Sequence, residues 1–394
     1  MPVSKKIRSF MQQGSWIRKM FEEGIVLKQK YGAENVYDLS LGNPIMEPPP
    51  QFAAELKRIA DSDIAGLHRY MPNAGYQDTR AAVAAQLSCE TGMPFTAEHI
   101  VMTVGAGGAI NVVMRTLLDP GDEVVIFAPY FVEYMFYADN HGATCKVVPC
   151  DDRFLPDMAA LETAIGPRTR IVLTSSPNNP TGVVYPAETL AAMGAVVRRK
   201  EKEYGTEIYL LSDEPYRKII FDGKTYPQVF PHHARSIVAT SHSKDLALPG
   251  ERIGFIAVNP GCSDLAELMG GLVFSNRTLG FVNAPALMQH IVKRLQDVTV
   301  DVGQYERKRD FLFKSLTEIG YSIVRPGGAF YIFPKSPIAD DVAFVDELRK
   351  QRVLVVPGRG FGMPGYFRIA YCTDDRTLQG ALPGFQTAFR AVGK

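Results

Sequence analysis

From about Gln51 to Val292 the sequence alternates short apolar runs with longer helical stretches, and this alternation narrows the fold more than any other feature of the chain. The runs are Ile100–Val104, Glu123–Phe127, Arg170–Thr174, Glu207–Leu211, Ser236–Thr240 and Ile253–Val258, and their centres lack the polar alternation of half-solvated strands. Strands read this way when helical crossovers between parallel neighbours cover the sheet on both faces. The expectation is an α/β fold with a mainly parallel sheet. The C-terminal part breaks the rhythm. There a charged helical stretch, Asp301 to Ile319, precedes PGGAFYIFP and VLVVPGRGFGMPGYFRIAYC, which predicts a smaller α+β unit. The segment Ser4 to Lys30 reads as helix and is expected to pack with that unit. No internal repeat and no low-complexity segment interrupts the pattern.

Three polar strings follow predicted strands, where open α/β sheets bind their ligands. The richest is SHSKDLALPGERIGF, Ser241 to Phe255, which places Ser241, Ser243, Lys244 and Arg252 close together. A lysine forms an imine with an aldehyde. Two hydroxyls and a guanidinium fork hold a phosphate dianion. An aldehyde that also carries a phosphate suggests pyridoxal 5′-phosphate, PLP. The second string, Asp213-Glu214-Pro215-Tyr216, closes the run Ile208 to Leu211. There Asp213 could face a protonated pyridine nitrogen and Tyr216 the ring's phenolic oxygen; a helix N-cap is the plainer reading of Asp213. The third, Ser175-Ser176-Pro177-Asn178-Asn179-Pro180-Thr181-Gly182, has prolines that fix an extended turn. That turn could aim Asn179 at the same phenolic oxygen or simply close an Asx turn.

With these strings in this order, the chain resembles the class I/II aminotransferases of PLP fold type I, the aspartate aminotransferase superfamily, over nearly its whole length. An NPTG asparagine, a D-x-x-Y pair, an S-x-S-K lysine and an arginine eight residues later match Asn179, Asp213, Tyr216, Lys244 and Arg252. The resemblance implies a seven-stranded-type, mainly parallel sheet with helices on both faces, plus a smaller α+β domain built from both chain ends. It implies a division into an N-terminal arm with part of the small domain (1–48), a large PLP-binding domain (49–295) and a C-terminal small domain (296–394). Gly105, Ala106 and Gly107 in VGAGGAINVVMRTLL are assigned to the phosphate, and the residues agree, since a glycine-rich turn entering a helix offers N–H groups and a dipole to an anion. Phe131 in APYFVEY falls where the family stacks an aromatic ring on the pyridine, often a tryptophan; a plain core aromatic is the other reading.

The resemblance also places the substrate. Arg368 in YFRIAYC matches the arginine that takes the α-carboxylate, a planar bidentate task suited to guanidinium, although an edge-strand surface residue would read alike. Asn179 is expected to share that anchoring. Gly42 in LSLGNPIMEPPP resembles the glycine whose bare backbone approaches the substrate. Tyr70 in HRYMPNAGYQDTR resembles a tyrosine that reaches the phosphate of the neighbouring subunit, implying a homodimer with shared sites. Arg277 in FSNRTLGFVNAP lies near a distal-carboxylate arginine of aspartate-using relatives, or is a solvated surface residue. Ser15-Trp16-Ile17-Arg18 reads as a lid segment, with Trp16 equally suited to packing. The reaction implied is ping-pong transfer of an amino group between an amino acid and a 2-oxo acid, with glutamate and 2-oxoglutarate as the second pair. Lys244 would be the general base, its pKa lowered by burial and nearby cations.

Composition removes other classes. With 43 basic and 42 acidic side chains, the chain has no general attraction to nucleic acid or anionic membrane. Its five cysteines (Cys89, Cys145, Cys150, Cys262, Cys372) lack metal-ligand spacing, and their odd number argues for a reducing, cytoplasmic setting. No run approaches the roughly 20 apolar residues of a membrane span. Lys5, Lys6 and Arg8 are followed by no apolar core, so the N-terminus is not expected to be a secretory signal. Two rivals stand beside the aminotransferase. A PLP-dependent lyase or synthase, such as a C–S lyase, would use the same ring-binding residues. A PLP-binding regulator would need a DNA-binding module for which the chain has neither spare length nor a basic patch.

Overall fold

The computed structural model describes residues 2–13 and 16–392. In chain order its strands are β1 (Tyr37–Asp38), β2 (Ile100–Thr103), β3 (Glu123–Phe127), β4 (Thr144–Val148), β5 (Thr169–Ser175), β6 (Tyr209–Asp213), β7 (Ser236–Ser241), β8 (Gly254–Val258), β9 (Tyr331–Ile332), β10 (Val353–Leu354), β11 (Val356–Pro357) and β12 (Phe367–Ala370). Seven of them form one sheet in the order β2-β8-β7-β6-β5-β3-β4. All neighbours in it are parallel except β8, which runs antiparallel to both β2 and β7.

Each predicted strand is present, with ends shifted by a residue or two. The one predicted from Glu207 begins at Tyr209 and runs on to Asp213, and that predicted from Ile253 begins at Gly254. Strand period explains why these runs are apolar throughout. Val124 and Ile126 join one hydrophobic cluster, with Val112, Val113 and Leu272 of the covering helices. Val125 and Phe127 join the cluster on the other face, with Val83, Val197 and Ile291. Burial of each such side chain is worth about 1.5–3 kcal/mol, so both faces must be covered. The sequence reading missed β4. It is an edge strand with Thr144 and Val147 exposed and Lys146 at its centre, and it therefore carries no continuous apolar signal.

A third cluster draws on both ends of the chain. Met20 and Leu39 pack with Leu312, Leu316, Phe344, Phe367 and Phe385. Around it, β1 pairs in parallel with β10, while β11, β12 and β9 form a small antiparallel sheet. The predicted charged helix is there, Val302–Ile319. The N-terminal stretch forms two helices, Lys5–Gln13 and Trp16–Tyr31. Tyr216, Ile219 and Phe221, just past β6, belong to this cluster, so it adjoins the loops at the carboxyl ends of the parallel strands.

Candidate active site

Those loops enclose a cavity of about 310 Å³. One end is built for an anion. The helix Gly105–Leu117 starts directly after β2, and its N-cap, Val104, has no side chain that bonds the first-turn N–H groups. Gly105 has φ 81°, and a Cβ there would meet Arg252 Nη2 at 2.8 Å. A bare backbone thus lets the guanidinium close over the helix terminus. Arg252 itself has φ 52° and is held by Nη1 donating to the Pro249 carbonyl at 2.9 Å. Ala106, Gly107, Ser241 and Ser243 line the same cavity. Open N–H groups, a helix dipole, a guanidinium and two hydroxyls make a site for a dianion such as phosphate.

Asp213 stands at the last position of β6, 6 % exposed. Its Oδ2 accepts a 2.5 Å hydrogen bond from Tyr134, whereas Oδ1 is buried with no hydrogen-bond partner. Burial, with a smaller push from Glu214, raises the carboxyl to about 7, although the Tyr134 hydrogen bond pulls it down. A buried carboxylate with an unmet oxygen calls for a cationic donor. A protonated ring nitrogen is one. Phe131 lines the cavity and meets Tyr134 edge to face, with ring centres 5.7 Å apart. Lys244 Nζ donates to the Gly42 carbonyl at 2.8 Å. Its burial, helped by Arg252 and Arg368, lowers its pKa to about 8 and keeps much of the amine available as a nucleophile or base. The Tyr216 hydroxyl lies 2.8 Å from that of Tyr331.

Arg368, on β12, is 2 % exposed and packs between the Tyr331 and Phe361 rings, 4.7 and 4.8 Å from their centres. Its Nη1 donates to Asn179 Oδ1 at 2.9 Å and its Nη2 to the Ser40 carbonyl at 2.5 Å. Nε is buried without a partner, and burial lowers the pKa of the group. Both described partners are neutral oxygens, so the guanidinium's charge is unmet, and a carboxylate would meet it bidentately. Gly42 lines this cavity, and the fold supplies a reason for glycine that the sequence does not show. A Cβ there would collide with the Tyr331 hydroxyl, so the protein's own side chain already requires glycine at this position.

Lys244, Asp213, Tyr216, Asn179, Arg252, Arg368, Ser241, Ser243, Ala106, Gly107, Phe131 and Gly42 therefore share one cavity, with Gly105 beside Arg252 at its anionic end. Tyr70 and Arg277 are not among its lining residues. Tyr70 is 88 % exposed. Arg277 is exposed in the last turn of the helix Leu265–Thr278, 5.3 Å from the ring centre of Phe274. Trp16 packs against the cluster formed by the two chain ends, and a Cβ at Gly360 would sit 3.0 Å from it; Ser15 lies outside the described residues. The sequence reading missed Tyr134 and Tyr331. Tyr134 is in APYFVEY, three residues after Phe131, and Tyr331 in an apolar segment more than a hundred residues from Tyr216, so only the folded pairing reveals them.

Residues 34–383 match the family model for aminotransferase class I and II. The chain is 32 % identical to an aspartate/prephenate aminotransferase of Thermus thermophilus over 359 residues, 88 % of this chain and 89 % of that one. It is 30 % identical to a probable aspartate aminotransferase of Methanocaldococcus jannaschii, covering 88 % and 91 %. Among solved structures, an amino transferase from Eubacterium rectale superposes with a TM-score of 0.96 at 38 % identity, over 100 % of each chain. The Thermus thermophilus aspartate aminotransferase with maleate gives 0.85 at 27 % identity, over 98 % of this chain and 100 % of that one.

Proposed function

Since the chain belongs to the class I and II aminotransferase family and is a PLP-dependent transaminase, we propose that its chemistry is carried by the residues gathered around Lys244. The observation that carries the assignment is the buried, unpartnered Oδ1 of Asp213 in the same cavity as a lysine whose pKa is lowered. That oxygen suits the protonated ring nitrogen of PLP. Gly105, Ala106, Gly107, Ser241, Ser243 and Arg252 suit its phosphate, Phe131 its ring face, and Tyr216 with Asn179 its phenolic oxygen. When bound, PLP supplies an electron sink that makes the proton on the substrate's Cα removable.

The protein's own groups do the rest. Arg368, oriented by Asn179 and the Ser40 carbonyl, takes the α-carboxylate and fixes the angle at which the amino acid enters. Lys244 Nζ would hold the cofactor and, once freed by the incoming amino group, would take the proton from the substrate's Cα onto its amine. Asp213 keeps the ring nitrogen protonated throughout. One 2-oxo acid leaves before the next enters, so the kinetics are ping-pong. An absorbance screen of the purified enzyme against the common amino acids tests the reading. Some of them should change the spectrum of the bound cofactor and release a 2-oxo acid stoichiometrically; release of ammonia without any acceptor would mark a lyase instead.

For the substrate side chain, the names of the relatives point to aspartate, and we read a dicarboxylic amino acid as one substrate with glutamate and 2-oxoglutarate as the other pair. Arg368→Ala is expected to raise KM and lower kcat for every amino acid, because all share the α-carboxylate. The loss should be at least about tenfold in kcat/KM, as for truncating one partner of a buried charge pair. Arg277→Ala should harm only aspartate and glutamate, if a neighbouring subunit brings it to the site. Equal losses on neutral and acidic substrates would remove Arg277 from the specificity determinants.

We read the working unit as a homodimer. Tyr70 is 88 % exposed, and large apolar side chains lie open on the same chain, among them Phe274 at 57 % and Ile45 at 53 %. Single exposed apolar side chains are ordinary on any chain, so the reading rests on the Tyr70 string, and a symmetric dimer is the commonest arrangement that would carry Tyr70 to a neighbouring site. Mixing Tyr70→Ala with Lys244→Ala chains under subunit exchange should restore activity if Tyr70 acts across the interface, since each mixed dimer then has one site with both residues intact. No restoration, or a fully active monomer by light scattering, removes the shared site. Among the described residues no helix is long and apolar enough to cross a membrane. The free cysteines support a cytoplasmic setting.

A further inference from the structure

We propose that Tyr331 is a positioning residue that joins the two ends of the cavity, its hydroxyl holding that of Tyr216 and its ring carrying the guanidinium of Arg368. The inference rests on the reading of the cavity given above and adds a residue that the sequence motifs do not single out. Tyr331 reaches this place through the small antiparallel sheet: β9 pairs with β12 in the register Tyr331↔Ala370 and Ile332↔Ile369, so Tyr331 and Arg368 issue from adjacent strands. It is 2 % exposed. Its hydroxyl is 2.8 Å from that of Tyr216, and its ring centre is 4.7 Å from Arg368 Cζ. The opposing backbone is Gly42, where a Cβ would strike the Tyr331 hydroxyl, and Gly42 in turn accepts from Lys244.

Each tyrosine hydroxyl has a single proton to donate. Either hydroxyl can be the donor in this pair; when Tyr331 donates to the Tyr216 oxygen, the Tyr216 proton is left free for the cavity, where it would serve the phenolic oxygen of bound PLP. Without Tyr331, the Tyr216 hydroxyl would be buried with one fixed partner fewer and free to rotate. The ring has a separate task. A desolvated guanidinium against an aromatic face is held by the ring quadrupole, which keeps Arg368 in place while no carboxylate is bound. One side chain thus fixes the donor at the cofactor end and the receptor at the carboxylate end, and the two tasks depend on different atoms.

That separation supplies the test, made on the PLP-loaded enzyme without turnover. Two quantities are read: the pH midpoint of the bound cofactor's absorbance, and the dissociation constant of acetate, the bare carboxylate. Tyr331→Phe removes the hydroxyl and keeps the ring. It should raise the midpoint by about half a unit, as loss of a modest hydrogen bond to the donor implies, and leave acetate binding within about twofold. Tyr331→Met removes the ring at similar volume and should weaken acetate about tenfold, the scale of a desolvated cation–π contact. A midpoint that stays put or falls in Tyr331→Phe overturns the hydroxyl's role, and acetate binding unchanged in Tyr331→Met overturns the ring's. Tyr331→Phe alters a single buried atom and decides the hydroxyl's role by itself; should Tyr331→Met not fold, Tyr331→Leu, which also lacks the ring, carries the acetate measurement, and unchanged acetate binding there overturns the ring's role. If borohydride reduction of the wild type fails to label Lys244, the underlying reading of the cavity is what has failed.

Discussion

Lys244→Ala is expected to abolish transamination while PLP still binds noncovalently. Two losses combine in this variant. On the proposed assignment the covalent hold on the cofactor would disappear, and so would the base that moves the substrate's Cα proton, a role worth about 10²–10⁴-fold on its own. Burial is what fits this lysine for the work. With its pKa lowered to about 8, roughly a quarter of the amine is neutral at pH 7.5, against about one part in a thousand for an ordinary lysine near 10.5. The phosphate cradle, Asp213 and Phe131 are untouched by the substitution, so affinity for PLP should fall without vanishing. Borohydride reduction of the wild type followed by peptide mapping should place the pyridoxyl group on Lys244. The nearby alternatives are poorly set for it: Lys218 donates to the Gln296 carbonyl and faces Asp245 at 3.8 Å, and Lys224 is exposed. A pyridoxyl group found on either would overturn the assignment.

The parts of this site that the sequence discloses are those where chemistry and local structure coincide. Asp213 ends, and Lys244 follows, a strand whose apolar run is legible, and β6 and β7 deliver both to the one cavity. The parallel sheet itself is legible because burial on both faces leaves continuous apolar runs. Its edge strand β4 is not, since half of it faces water. The illegible part of the site is made of pairings across the chain. Tyr134 bonds Asp213 from 79 residues away, and Tyr216 meets Tyr331 across 115. Neither Tyr134 nor Tyr331 is marked by a motif of its own, and the apolar neighbours of each suggest core. Gly42 shows the same limit from the other side. That it must be glycine is readable, but that a tyrosine hydroxyl imposes the requirement needs the fold.

Asp213→Ala is expected to lower turnover by at least about a hundredfold, the scale on which a single preorganised electrostatic partner acts. The free chain states why. Burial raises the Asp213 carboxyl to about 7, so in the absence of a cation this group is only part ionised at neutral pH. On the proposed assignment a protonated ring nitrogen at Oδ1 would reverse that, stabilising the carboxylate and being stabilised in turn. Without the carboxylate the nitrogen would lose its proton, and with it the pull on the substrate's Cα electrons. Asp213→Asn separates this from packing, because its amide oxygen can still accept from Tyr134 while carrying no charge. Both variants should therefore be impaired to a similar degree. A fall of less than about tenfold, some 1.4 kcal/mol of barrier, would deny Asp213 the role. The same shift has a signature in the cofactor-free protein. A raised carboxyl pKa means the folded state holds its proton more tightly than the unfolded one, so stability falls as pH rises from about 3.8 through about 7. Asp213→Asn should lack that component, and the difference between the two melting profiles should grow across this window in the variant's favour. Saturating PLP should restore the wild type relative to the variant, because the ring nitrogen then supplies the charge that the buried carboxylate lacks.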